Sequence, residues 1–225
     1  MTNREWLYWD LLEACTETGC PLCRISLALV HSYLDSMLYE KVNDIEVRAE
    51  LRQARGYCNN HAWMLTEGRG VVLGVAIIQH DIVNAVLEAT DVASRGRGVR
   101  RDADRILQGL RPGAECPACA HRQKMEDMAI QTLLKHLDDR RLVEALAETS
   151  GLCLPHFSRA LELVEESAQL RRLQEFQREA LEGLRDELAE LIRKHDHRFA
   201  GEALGEEGDS WLRATGIVSA EHGAR

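Results

Sequence analysis

Cysteine and histidine fall along this 225-residue chain at spacings that suit metal ligation better than disulfide pairing. Six of the seven cysteines belong to a pattern that occurs twice. Cys20-Pro21-Leu22-Cys23 precedes Gly56-Tyr57-Cys58-Asn59-Asn60-His61, and Cys116-Pro117-Ala118-Cys119 precedes Gly151-Leu152-Cys153-Leu154-Pro155-His156. Between Cys23 and Cys58 lie 34 residues and between Cys119 and Cys153 lie 33, and a shift of 95 superposes Gly56 on Gly151, Cys58 on Cys153 and His61 on His156. Three of the four prolines lie inside these motifs, and the agreement reads as an internal duplication. Only Cys15 stands outside it, as a candidate buried apolar thiol that could compete with His61 as a fourth sulfur.

Cys-x-x-Cys at a helix start puts two sulfurs on one side of the first turn, and Cys-x-x-His does the same with a sulfur and an imidazole. Two such turns supply the Cys3His set of closed, tetrahedral zinc sites, with no position left for a substrate. The candidate ligands are therefore Cys20, Cys23, Cys58 and His61, with Cys116, Cys119, Cys153 and His156, and they predict two Zn²⁺ per chain in a structural role. An iron–sulfur cluster, as an electron carrier or sensor, is the competing cofactor, because thiolates hold both. Either each half closes its own set, or Cys20 and Cys23 pair with Cys153 and His156 across a pseudo-twofold axis; contiguity favours closure within each half. A dithiol oxidoreductase is the weaker third class, since Cys-Pro-x-Cys here lacks the βαβ context of thioredoxin-like proteins. No catalytic residue is nominated, and the chain reads as a metal-stabilised interaction module rather than an enzyme.

Nearly every periodic segment has helical spacing, so the expectation is an all-α protein. Leu22, Ile25, Leu29, Val30, Tyr33, Leu34, Met37 and Leu38 form one apolar stripe, and Met125, Met128, Ala129, Thr132, Leu133, His136 and Leu137 its counterpart. Asn43 with Glu46 suggests a capping box for a short helix stopped by Gly56; Asp138 or Asp139 would cap a second one stopped by Gly151. Further helices are expected from within Asn59 to Ala62, near Leu154 and Pro155, from Val71 to about Ala93, and from about Ala168 to His195. The last carries Leu170, Leu173, Gln177, Leu181, Leu184, Leu188 and Leu191 along one side, a stripe for the core that could also seed a homodimer. The expected organisation is a first metal-binding half over residues 1–94, a Gly/Arg-rich linker over 95–113 beginning around Ser94, a second half over 114–199, and a loop with a short helix over 200–225 capped by Ser210. Trp6, Trp9 and Trp63 are expected around the first ligand set.

Charge limits the partners. With 28 Lys plus Arg against 37 Asp plus Glu the net charge is −9, which argues against attraction to nucleic acid or an anionic membrane. The longest uninterrupted apolar stretch, Val71 to Ile78, is too short to span a bilayer, and no signal-peptide core precedes it, so a cytoplasmic protein with an unknown protein partner is expected. Lys194-His195-Asp196-His197-Arg198-Phe199 reads mainly as a cationic helix end, with His195, Asp196 or His197 as a candidate acid, base or extra ligand. Gly19-Cys20-Pro21-Leu22-Cys23, Gly56-Tyr57-Cys58-Asn59-Asn60-His61, their repeats, that carboxyl-terminal segment and Asp209-Ser210-Trp211 resemble a family of uncharacterised bacterial and archaeal proteins, a domain of unknown function. The resemblance spans nearly the whole chain and implies no activity. The family often carries Tyr at the position of His197, which weakens a catalytic role there.

Overall fold

The computed structural model describes residues 5–91, 98–199 and 201–224, and among them there are helices and no strand. In chain order these are α1 (Glu5–Ala14), α2 (Pro21–Tyr39), α3 (Ile45–Ala54), α4 (Asn59–Met64), α5 (Val72–Thr90), α6 (Val99–Leu110), α7 (Pro117–Lys135), α8 (Arg140–Ala147), α9 (Leu154–Leu163), α10 (Ser167–Lys194) and α11 (Ser210–Ser219), with a 3₁₀ turn at Glu206–Asp209. Two compact units emerge. Unit 1 joins Met1–Ala28 to Lys124–Arg225, and unit 2 is Leu29–Gln123, so the chain passes from one to the other within α2 and returns within α7. The contacts thus do not divide at 1–94 and 114–199. Each long helix is a rigid rod, and 19 residues of α2 carry the chain roughly 28 Å from Cys20 before it can turn.

In unit 1, α8 packs against α1 and α10, and α11 against α9 and α10. Leu7, Leu11, Leu133, Leu142, Leu146 and Leu173 are fully buried or nearly so. Tyr8 donates to Asp139 (2.9 Å), tying α1 to the start of α8, where Asp139 is also the N-cap and accepts from the Arg141 N–H. The α10 stripe is buried at Leu173, Gln177, Leu184 and Leu191, whereas Leu181 is exposed. Gln177 belongs to that face for a polar reason: its amide donates to the Leu152 carbonyl and accepts from the Leu152 N–H, both at 2.9 Å. Gly151, one residue earlier, has φ +89°, and a Cβ there would lie 2.8 Å from that of Ala180. Helix α8 has already ended at Ala147, so Gly151 is the residue that lets the chain lie against α10, rather than a helix stop.

In unit 2, α5 packs on α3 and α6. Val30, Leu34 and Leu38 from α2 meet Leu51, Leu65, Ile78 and Ile82 in one core. Asp44, not Asn43, caps α3, accepting from Glu46 and Val47 N–H; Gly56, at φ +93°, follows the left-handed Arg55 and closes α3 through its N–H to Leu51 O (2.8 Å). Helix α6 occupies most of the expected 95–113 linker; Ser94 to Arg97 lie outside the described residues. By length and composition alone α5 could cross a membrane, a possibility that counting uninterrupted apolar runs missed. Yet Asp81, midway along it, pairs with Arg48 (3.0 Å) and Arg52 (2.7 Å) of α3, three charges a bilayer centre would penalise heavily.

Two further expectations, on the tryptophans and on Ser210, are corrected, and the main reading of Lys194–Phe199 is met. Trp9 and Trp63 are exposed, Trp9 lying near the Arg141 guanidinium, and Trp6 sits at the surface, so none is buried around a ligand set. Ser210 is the first residue of α11 and Asp209 its N-cap. The Lys194–Phe199 segment is a helix end: Lys194 bonds Glu207 (2.7 Å) and Ala203 O (2.9 Å), His195 Nδ1 lies 2.8 Å from Leu191 O, and Arg193 covers the Phe199 ring. His197 is almost fully solvent-exposed beside Asp196.

Because Gln177 satisfies both backbone groups of a buried residue, Gln177→Leu is expected to destabilise the protein by about 2 kcal/mol or more in urea unfolding, since each orphaned group costs about 1–3 kcal/mol. An unchanged midpoint would contradict this account of the α10 stripe.

Candidate metal centres

All four motifs open a helix in the same manner. Cys58 and Cys153 are the N-caps of α4 and α9, and Cys20 and Cys116 directly precede Pro21 of α2 and Pro117 of α7. The first carbonyl of each motif already accepts a helical N–H: Cys20 O from Arg24, Cys58 O from Ala62, Cys116 O from Ala120 and Cys153 O from Phe157. The second ligand, three residues on, comes round to the same side of the first turn. The N–H groups of the first turn and the positive helix end then lie on the side of the sulfurs, where they favour negative charge.

The eight residues gather into two groups of four. Cys20, Cys23, Cys153 and His156 meet in unit 1, and Cys58, His61, Cys116 and Cys119 in unit 2. The closure is therefore crossed, each Cys-x-x-Cys meeting the Cys-x-x-His of the other motif pair, and the expectation that contiguous motifs pair is corrected. Both meetings are long-range along the chain, 130 positions from Cys23 to Cys153 and 55 from His61 to Cys116. Within each group the ligand atoms lie within 4.8 Å of one another.

In unit 1, His156 Nδ1 is 3.5 Å from Cys20 Sγ, 3.4 Å from Cys23 Sγ and 3.1 Å from Cys153 Sγ, and the Cys23 and Cys153 sulfurs are 3.5 Å apart. In unit 2, His61 Nδ1 is 3.3 Å from Cys58 Sγ, 3.6 Å from Cys116 Sγ and 3.4 Å from Cys119 Sγ, with Cys119 and Cys58 sulfurs 3.7 Å apart. A tetrahedral ion with Zn–S of about 2.3 Å and Zn–N of about 2.0–2.1 Å sets its ligand atoms roughly 3.5–3.8 Å apart. The donor sets fit one ion each. The seven cysteines are free thiols, and no disulfide spans these sulfur separations. Cys15 joins neither group; burial pushes its thiol up to about 11.

The two environments differ. In unit 1 all four ligands are fully buried. Burial and the neighbouring thiols push Cys20 well above the usual thiol range. Hydrogen bonds from Cys20 and Cys23 hold Cys153 far below it, against the effect of burial. Burial lowers His156, but Cys153, Cys23 and Glu126 outweigh it and bring its pKa to about 11. Glu126 Oε1 faces His156 Nε2 at 3.5 Å and accepts from Ser26 Oγ at 2.7 Å. With Nδ1 turned to the sulfurs, the imidazole can carry its proton on Nε2, towards the carboxylate, an outer contact typical of histidine metal ligands.

In unit 2 only His61 is fully buried, and the three cysteines are half-buried. Burial and then the Arg122 guanidinium hold His61 below its ordinary value. Burial and the thiols of Cys116 and Cys58 raise Cys119 to about 12. Burial also works to raise Cys58, but the His61 N–H, both thiols and the Asn60 N–H hold it below its ordinary value. Sequence reasoning missed Ser26, Glu126 and the clamp by Gln177. Their signal was a polar side chain on an otherwise apolar helix face.

No solved structure matches this chain significantly. Among curated proteins it is 24% identical, over 84% of its length and 88% of the relative's, to an uncharacterised 23.9 kDa protein in the 3′ region of xynA from Caldicellulosiruptor sp. (strain Rt8B.4). A family model described as a family of unknown function, DUF6062, matches residues 9–224. The chain belongs to that family.

Proposed function

We propose that each Cys3His group holds one zinc ion as a structural centre, and that the protein is a metal-stabilised interaction module of a reducing cytoplasm. The observation that carries the reading is the pair of four-ligand shells, each with separations matching a single tetrahedral ion. A multi-iron cluster spreads its ligands over several metals and needs them farther apart, so compactness favours one ion. Three thiolates with one Zn²⁺ carry a net charge of −1, which two helix starts per group help to stabilise. Both shells are complete, leaving no open coordination position for substrate, so activity belongs to the protein surface. Seven free thiols accord with a reducing compartment. The repeated motif order, with each element pair meeting its opposite, fits an internally duplicated ancestor.

Protein purified without oxygen and without an affinity metal should contain two zinc per chain by plasma mass spectrometry and show no visible absorption. Iron with acid-labile sulfide and a broad visible band would replace this reading with the cluster class.

Each ion ties together segments more than a hundred residues or tens of residues apart, so its binding energy contributes directly to folding. Removing the ions with a strong chelator, or one by Cys153→Ala, is expected to lower Tm by on the order of 10 °C or more. Equal melting curves would refute a structural role. Because the ligands bind as thiolates, protons compete with the metal: stability from this source is present above the range in which the bound thiolates protonate and is lost as pH falls through it. Metal release on acidification should therefore coincide with the loss of helical circular dichroism.

A further inference from the structure

We infer that the two centres have different duties: the unit 1 centre retains its ion, releasing it only slowly, while the unit 2 centre readily exchanges its ion with small soluble thiols and chelators. This rests on the metal reading above and adds a division of labour to it.

Three independent features separate the centres. The first is access. Ligand replacement at zinc proceeds through an added fifth ligand, so the incoming group must reach the ion. Cys20, Cys23, Cys153 and His156 are 0% exposed, whereas Cys58, Cys116 and Cys119 all retain solvent-facing surface. The second is the fastening of the segments that carry the sulfurs. In unit 1 the Leu152 backbone before Cys153 is held at both its N–H and C=O by Gln177, and the turn before Cys20 is held by Arg24, which donates to the carbonyls of Ala14, Glu17 and Thr18. In unit 2 the segment before Cys116, residues 111–115, is exposed throughout and is tied to α3 by the Gly113 N–H to Gln53 O bond (2.9 Å). The third is the imidazole. In unit 1 Glu126, itself fixed by Ser26, faces the distal nitrogen of His156 and strengthens it as a donor.

A buried, clamped and carboxylate-backed shell opens only when unit 1 itself opens. An exposed shell with one loosely tethered thiol pair can lose Cys116 or Cys119 to a competing ligand while unit 2 stays folded. The ligand class is a thiophilic divalent cation, and the exchange partners are small molecules bearing thiolate or chelating nitrogen and oxygen groups.

The test uses the full chain, reconstituted anaerobically with Zn²⁺ and mixed under native conditions with excess 4-(2-pyridylazo)resorcinol, whose colour reports released metal. One equivalent should leave at least about ten-fold faster than the second. The double variant Cys116→Ser/Cys119→Ser should lose the fast equivalent and keep the slow one. Glu126→Gln should accelerate the slow phase by about ten-fold or more and leave the fast phase unchanged. Two equivalents leaving in a single phase, or a slow phase that disappears in the Cys116/Cys119 variant, would overturn the division of labour alone. Failure to bind two ions on reconstitution would overturn the metal reading and this inference with it.

Discussion

A cysteine placed at the boundary of a helix commits its sulfur, the next residue but two and the N–H groups of the first turn to one small volume. This chain does so four times, at Cys20, Cys58, Cys116 and Cys153, and each unit is built where two of these turns meet. The constraint is stringent because the ligand atoms must sit at ion-shell separations while the helices behind them stay packed. A shift of either helix by part of a turn would move both of its ligands together. Packing of the long helices and closure of the ligand sets therefore have to agree, and the core residues of α2, α5, α7 and α10 are as much a part of the centres as the sulfurs are.

Much of the polar chemistry inside the units supports that agreement. Gln177 secures the chain one residue before Cys153, Gly151 allows the same chain to lie against α10, and Ser26 and Glu126 orient His156. In unit 2, Gly56 ends α3 so that Tyr57 enters the core and Cys58 opens α4. Arg55 reaches the Gly109 carbonyl, and Arg48 and Arg52 pair with Asp81, fastening α3 to α6 and α5. Buried polar groups stay in such places because leaving them without partners costs more than their net contribution when paired. Here the partners are backbone groups and ligands, so the polar side chains fix positions that apolar packing would leave less defined.

Several expectations from sequence held where the responsible interactions are local. The stripe from Leu22 to Leu38 forms one helix with Leu22, Ile25, Val30, Leu34, Met37 and Leu38 buried, and α9 and α10 begin at or within a residue of the expected points. Others failed where a competing local choice existed: Asp44 outdid its neighbour Asn43 as a cap, and the Gly/Arg-rich segment turned helical from Val99. The tryptophans failed for a different reason. Trp63 lies two residues after His61 on a short helix, and that spacing turns it away from the buried imidazole to solvent.

The sequence by itself determined the helical class and singled out the cysteines and histidines that gather into two groups, because helix periodicity, capping and i to i+3 spacing are written in consecutive residues. Only the tertiary structure decided which motif meets which. Cys23 and Cys153 are 130 positions apart, and their meeting depends on the directions in which rigid helices deliver the chain, a quantity no local pattern encodes. The same holds for the contrast between a fully buried shell backed by Glu126 and a half-exposed one. Two motifs nearly identical in spacing acquire different solvent access from residues far away along the chain.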